Sequence, residues 1–231
     1  MKGETVSADH RITPSPEERA RQIAYWNHAA ETKEFTTNLR TDEFLKYVSR
    51  EDFIVDVGCG YGRILGELRR LGYRKLVGFD PAEGMIRRGK NEHPDVDLRM
   101  MNGDSLDLDD GVADAVLLMG VLTCIASDAV QNRLLDEIFR ILKPGGILYV
   151  NDFLLNQDER NLRRYEKYKD LYGIRGIFVL PGGVHLRHHS EERIQSLFDR
   201  FDRKEYRRLT FETMNGHTSN GFFYIGSKKI K

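Results

Sequence analysis

The sequence predicts an α/β fold, a doubly wound, mostly parallel sheet with helices on both faces and an antiparallel hairpin at the C-terminus. Three observations carry that expectation. Short β-rich apolar runs alternate with stretches of helical periodicity through most of the chain. Three glycines, Gly58, Gly60 and Gly62, fall within five positions directly after the first run, in "FIVDVGCGYGR" (53–63). The last third drops the alternation for two apolar runs joined by the turn-rich "NGHTSNG".

In chain order, "PEERARQIAYWNHAAETKEF" reads as a helix with Ile23, Trp26 and Ala30 on one stripe, and "TDEFLKYV" as a short helix capped by Thr41. The strand candidates follow as "FIVDV" (53–57), "LVGF" (76–79), "VDLRMM" (96–101), "ADAVLLM" (113–119) and "GILYV" (146–150). Between the last two, Leu134, Leu135, Ile138, Ile141 and Leu142 recur at helical spacing, and Lys143-Pro144-Gly145 ends that helix. Strand–helix–strand alternation requires crossovers, hence a parallel sheet covered on both faces. After a helix that Ser190 caps, "KEYRRLTFETM" and "GFFYIGSK" have no helix between them and should pair as a hairpin.

With 231 residues the chain suits one domain, expected over 17–231, with a helical cap at 17–50 and an insertion after the fifth strand at 153–190. The polar stretch 1–16 reads as a disordered tail without the apolar core of a secretory signal. No apolar run reaches the ~20 residues that a membrane span needs, so a cytoplasmic protein without membrane insertion is expected. Lys plus Arg equals Asp plus Glu at 36 each, which removes the global charge expected of a nucleic-acid binder. Cys59 and Cys124 have no framework spacing and read as reduced thiols.

Glycines after the first strand let the backbone approach a ligand with no Cβ in the way. A dinucleotide fingerprint would put its third glycine at position 63, where this chain has Arg63. Instead the glycines run G-x-G-x-G, with Asp56 two residues before the first. That pattern resembles motif I of the class I S-adenosylmethionine-dependent methyltransferases. Three more segments agree in order: "GFDP" after the second strand, "NGDS" after the third, and "ADAVLLMGVLTCI" running on to "LKPGGILYV". The resemblance is close over roughly residues 16–155, and the terminal hairpin matches the antiparallel pair of that family.

The resemblance implies a Rossmann-like seven-stranded sheet in the order 3-2-1-4-5-7-6 and S-adenosylmethionine as cofactor. It implies Asp80 on the ribose hydroxyls, since a carboxylate accepts from both at once, and Asp104 on the adenine. By themselves, Asp80 could instead cap the next helix and Asp104 be a turn residue. Asp56, Gly58, Cys59, Gly60, Pro81, Met85, Gly103, Ser105, Met119 and Gly120 are expected beside the cofactor, with Tyr25 closing over it. The segment "MGVLTCIASD" lacks the Asn-Pro-Pro-aromatic motif of amino-methylating relatives that act on RNA or DNA. The chain looks more like the small-molecule enzymes of quinone biosynthesis and tellurite resistance, acting on a small acceptor as a monomer or homodimer. A non-catalytic S-adenosylmethionine-binding regulator and an RNA methyltransferase are the alternatives.

"HLRHH" supplies the candidate bases. A neutral imidazole suits proton removal near pH 7, so His188 and His189 are expected near the acceptor, with Tyr25 as a third candidate. The string reads as extended, which disfavours a metal site. Cys124 reads as packing, not as a nucleophile.

Overall fold

A computed structural model describes residues 14–103 and 105–230. Most of the predicted tail, and Asp104, lie outside the described residues. The sheet is built from β1 (Phe53–Val57), β2 (Lys75–Asp80), β3 (Asp97–Met100), β4 (Ala113–Met119) and β5 (Leu142–Phe153), completed by the hairpin β8 (Phe201–Glu212) and β9 (Thr218–Lys228). Its order is β3-β2-β1-β4-β5-β9-β8. The first five strands run parallel, and β9 is antiparallel to both β5 and β8. This is the expected order once β6 (Ile177–Val179) and β7 (His185–Arg187), which pair only with each other, are counted.

Period-two alternation along β1 explains why both faces are covered. Ile54 joins the apolar cluster holding Phe44, Leu65 and Leu68, while Val55 and Val57 join the opposite cluster with Leu134, Ile138 and Ile194. Burying each such side chain contributes about 1.5–3 kcal/mol, which explains why central strands carry unbroken apolar runs. Asp56 is the polar exception in that run, and it is buried.

Helix α1 (Pro16–Thr32) begins with a capping box: Ser15 accepts from the Glu18 amide, and the Glu18 carboxylate accepts from the Ser15 amide. The helix lies on α4 (Glu83–Glu92), where the Gly84 amide donates to Asn27 Oδ1 at 2.7 Å. A Cβ on Gly84 would meet the Asn27 backbone at 3.0 Å, so that glycine sets how closely the two helices pack. Helix α2 (Thr41–Phe44) is not capped by Thr41 as expected. Thr41 is its first helical residue, and Arg40, with no side-chain cap bond, holds the capping position.

Helix α3 (Arg63–Arg70) follows the glycine loop, and α5 (Asp128–Ile141) precedes β5 with a Ser127 cap. The segment after β5 has structure that its sequence did not announce. Asp158 caps α6 (Glu159–Tyr172), then β6 and β7 pair, and Ser190 caps α7 (Glu191–Leu197) as expected. The segment rejoins the sheet where it left it. The His189 amide donates to the Phe153 carbonyl at 3.0 Å, and the Leu155 amide to the His189 carbonyl at 2.9 Å. No helix among the described residues is long and apolar enough to cross a membrane.

Candidate active site

The glycine loop leaves β1 in left-handed backbone: φ is +74° at Gly58, +56° at Gly60 and +73° at Gly62. The amides of Gly58 and Cys59 both donate to the Phe79 carbonyl, at 2.7 and 3.0 Å, which ties the loop to β2. A Cβ on Gly58 would come within 2.5 Å of Val121, and one on Gly60 would enter the Phe35 ring. The loop is therefore stripped of side chains both by its dihedrals and by its neighbours.

Asp80, at the end of β2, holds the entry to the next helix, one of the two roles open to it in the sequence, and also braces the glycine loop. Its Oδ1 accepts from the amide of Ala82, the residue capping α4, at 2.8 Å, and its Oδ2 accepts from the Gly60 amide at 2.9 Å. A carboxylate has about four acceptor sites, so lone pairs remain for a ligand in the cavity that Asp80 also lines. Burial pushes its pKa up to about 6, against the pull of the two amides. Asp56 is 1% exposed and its Oδ1 has no hydrogen-bond partner. Burial and then the charge of Asp80 push its pKa up to about 7, with Arg63 pulling the other way.

These groups open on a cavity of about 620 Å³ at the carboxyl ends of the strands. Asp56, Gly58, Cys59 and Gly60 line it from β1 and its loop; Asp80, Pro81 and Met85 from β2 and α4. Gly103 lines it after β3, and Met119 and Gly120 at the end of β4. Two expected members lie elsewhere. The Ser105 hydroxyl turns to α5 and donates to Glu137 Oε1 at 3.3 Å. Tyr25 is rotated off the lining, and Ile23 and Trp26, the stripe read from the sequence, form the wall in its place. The Tyr25 ring packs edge-on against Trp26 at 5.1 Å.

Phe35 lies in the segment 33–37 that follows α1. It stacks on Tyr61 at 5.0 Å, lies over Gly60 and lines the cavity. The Phe35 amide donates to the Tyr61 hydroxyl, which itself donates to Glu34. The aromatic residues after α1 are thus fixed against the glycine loop.

The two candidate bases prove to be different groups. The Asn220 amide donates to Asn156 Oδ1, which orients the Asn156 side chain and turns its Nδ2 toward His188 Nδ1, 3.2 Å away. The Tyr165 hydroxyl accepts from the Asn156 amide and lies 2.6 Å from His188 Nδ1. Asn156 Nδ2 also donates to the Leu154 carbonyl at 3.0 Å and to Ser219 Oγ at 2.9 Å. Burial, then the charges of Arg164 and Arg160, push the His188 pKa down to about 3. His188 lines the cavity, and a ring held at so low a pKa is a weak base there, unlike the general base expected of it. His189 is 1% exposed and does not line the cavity: its Nε2 is bonded to Gln131 Nε2 at 2.8 Å and its Nδ1 to the Phe153 carbonyl at 3.3 Å. Burial holds it well below the usual range, so it fastens the insertion to α5.

His188 provides a stability test. An unfolded histidine takes its proton near 6.5 and folded His188 only near 3, so stability should fall as pH drops between those values. The slope that His188 adds is about 1.4 kcal/mol per pH unit. Denaturant titrations of His188→Asn should show a flatter acid limb than the parent protein; parallel limbs would refute the assignment.

Cys124 lines the cavity too, but burial and the charge of Asp152 push its thiol far above the usual range, which leaves it inert. Among the described residues no cluster of His, Cys, Asp and Glu could hold a metal ion. Arg160 and Arg164 of α6 line the cavity as well, together with Phe178 and His185.

A parallel sheet with a side-chain-free loop after β1 and an acid at the end of β2 defines a Rossmann-like nucleoside-binding protein. Comparison with known proteins narrows the class. Residues 55–150 match the family model described as "Methyltransferase domain". A solved SAM-dependent methyltransferase from Methanosarcina mazei superposes with a TM-score of 0.79 at 26% identity, over 84% of this chain and 100% of that one. The eEF1A lysine and N-terminal methyltransferase of Danio rerio is 29% identical over 108 residues, 44% of this chain and 16% of that protein. The carboxy-S-adenosyl-L-methionine synthase of Nautilia profundicola is 29% identical over 133 residues, 53% of this chain and 53% of that protein. The chain therefore spans about a sixth to a half of the curated relatives it matches. Residues 55–150 thus match a methyltransferase domain, set in the fold of a solved S-adenosylmethionine-dependent methyltransferase.

The site fits S-adenosylmethionine. A buried, unpartnered carboxylate oxygen on Asp56 calls for a cationic or donor group, Asp80 keeps acceptor sites for hydroxyls, and the bare loop admits close approach. Both carboxylates have raised pKa values, so they are protonated on the acid side. Affinity for this cationic cofactor should therefore rise as pH climbs from below about 6 to above about 7. Calorimetry across that range checks it, and Asp56→Asn should flatten the upper part of the rise.

Proposed function

We propose that the protein transfers a methyl group from S-adenosylmethionine to a small-molecule acceptor, in the cytoplasm. One observation supports this most directly: a single cavity is lined by Gly60 and Asp80 at one end and by Phe178, His185 and His188 of the insertion at the other. A volume near 620 Å³ lies within the ~300–1,000 Å³ typical of small-ligand sites. Trp26 and Phe35 add aromatic surface to the wall, which suits a site that must exclude water.

Bound there, S-adenosylmethionine supplies an electrophilic methyl group for in-line displacement. The chain's own task is alignment. Asp80 and the glycine loop fix one partner, and the insertion positions the other behind the methyl group. The Nε2–H of His188 orients an acceptor oxygen by donating to it. Proton removal by either of the paired histidines is not part of this mechanism.

The test is incubation of the full chain with methyl-labelled cofactor and a metabolite extract, read by mass spectrometry. Labelled small molecules and S-adenosylhomocysteine are expected. Binding without any S-adenosylhomocysteine release would favour a non-catalytic regulator. Label confined to RNA or protein would overturn the small-acceptor reading.

A further inference from the structure

The end of the cavity formed by the insertion holds a cation, Arg164, that no carboxylate among the described residues pairs with. Arg160 and Arg164 stand one turn apart on α6 and both line the cavity. Arg164 has no carboxylate within ion-pair distance among the described residues, and its guanidinium lies 5.1 Å from the Phe178 ring centroid. Arg160 has one partner, Asp158 at 3.8 Å, and that carboxylate is already engaged by the backbone and side-chain nitrogens of Asn161. Glu18, the acid contributed by α1, is occupied at the other wall by the Ser15 amide and stands 4.0 Å from His185. Burial and then the charge of Arg160 both push the Arg164 pKa down, as expected of a desolvated cation lacking its counter-ion.

In the tautomer whose Nδ1 accepts from the Tyr165 hydroxyl, His188 adds a second donor. Its ring lies edge-on to the same Phe178 ring at 4.9 Å, and no described residue occupies its Nε2–H. A guanidinium and an imidazole N–H around one aromatic ring, at the end of a largely apolar cavity, match an oxyanion attached to an apolar body. On the reading that this cavity takes a small methyl acceptor, we infer that the acceptor carries a carboxylate, bound by Arg164 and the Nε2–H of His188, with Arg160 adding long-range attraction. The rest of the acceptor packs on Phe153 and Phe178, and the carboxylate anchors the end remote from the methyl group.

The full chain saturated with S-adenosylhomocysteine can be titrated calorimetrically with benzoate, benzamide and phenyl phosphate as probes. Benzoate should bind about tenfold or more tightly than benzamide, the scale of a charge-assisted hydrogen bond. Arg164→Gln should erase that preference while S-adenosylhomocysteine affinity stays at the parent value, and Arg164→Lys should restore part of it. Equal affinities for benzoate and benzamide in the parent protein, no benzoate binding up to its solubility limit, or a preference that survives Arg164→Gln would each overturn the inference. Phenyl phosphate binding more tightly than benzoate would replace the carboxylate with a phosphate. Failure of the parent protein to bind S-adenosylhomocysteine would instead overturn the functional reading itself.

Discussion

Gly60→Val should abolish S-adenosylmethionine binding and leave a cooperative unfolding transition. Two independent strains act at that position. At φ +56° a β-branched residue is held in backbone that it strongly disfavours. Its Cβ would also enter the Phe35 ring, so Phe35 and the turn after α1 must move off the loop. Either displacement spoils the surface on which the cofactor rests. The insult stays local, because the strands on either side are held by β1–β2 and β1–β4 pairing that does not involve the loop. Calorimetry for binding and a thermal melt for folding separate the two effects. Loss of the melting transition would mean that the loop is needed for folding and says nothing of a ligand.

Asp80→Ala should weaken cofactor binding by about tenfold to a hundredfold, the scale of charged hydrogen bonds worth ~1.5–3 kcal/mol. The effect has two sources: ribose acceptors are lost, and the amides of Gly60 and Ala82 lose the group that holds them. Asp80→Asn distinguishes them. Asparagine offers one oxygen, so one of those two amides must face an NH2 group, and the loop should loosen even though shape is kept. Both variants should therefore bind weakly, and Asn should not rescue. Full affinity in Asp80→Asn would refute the two-sided clamp.

The parts of the site that were legible in the sequence are those written in local spacing. The glycine triplet, Asp56, Asp80 and the residues closing β4 follow from where a strand ends, and strand ends are marked by apolar runs. The antiparallel pairing of the hairpin followed from the absence of a helix between the last two strands. The rest depends on rotation and on distant partners. Tyr25 and Trp26 are one residue apart on α1, and about 100° of helical turn decides which faces the cavity. Arg163 and Arg164 differ in the same way: Arg163 is exposed and pairs with Glu159, while Arg164 lines the cavity. No charge count over "RNLRRYEKYKD" distinguishes them. His188 and His189 were picked out by residue type, but their protonation is set by burial and then by Arg164 and Arg160 beside one and Arg187 beside the other, which only the fold brings to them.

The single point at which the insertion leaves and rejoins the sheet has an evolutionary consequence. Phe153, Leu155 and His189 form a closed neck, so everything between them can be lengthened, shortened or rewritten without shifting a sheet strand. Doubling the length of such a loop costs only about 0.6 kcal/mol in closure entropy. Substrate preference is thereby uncoupled from the inherited cofactor machinery: the neck works as a socket, and selection can change what is plugged into it while β1, its glycines and Asp80 stay as they are.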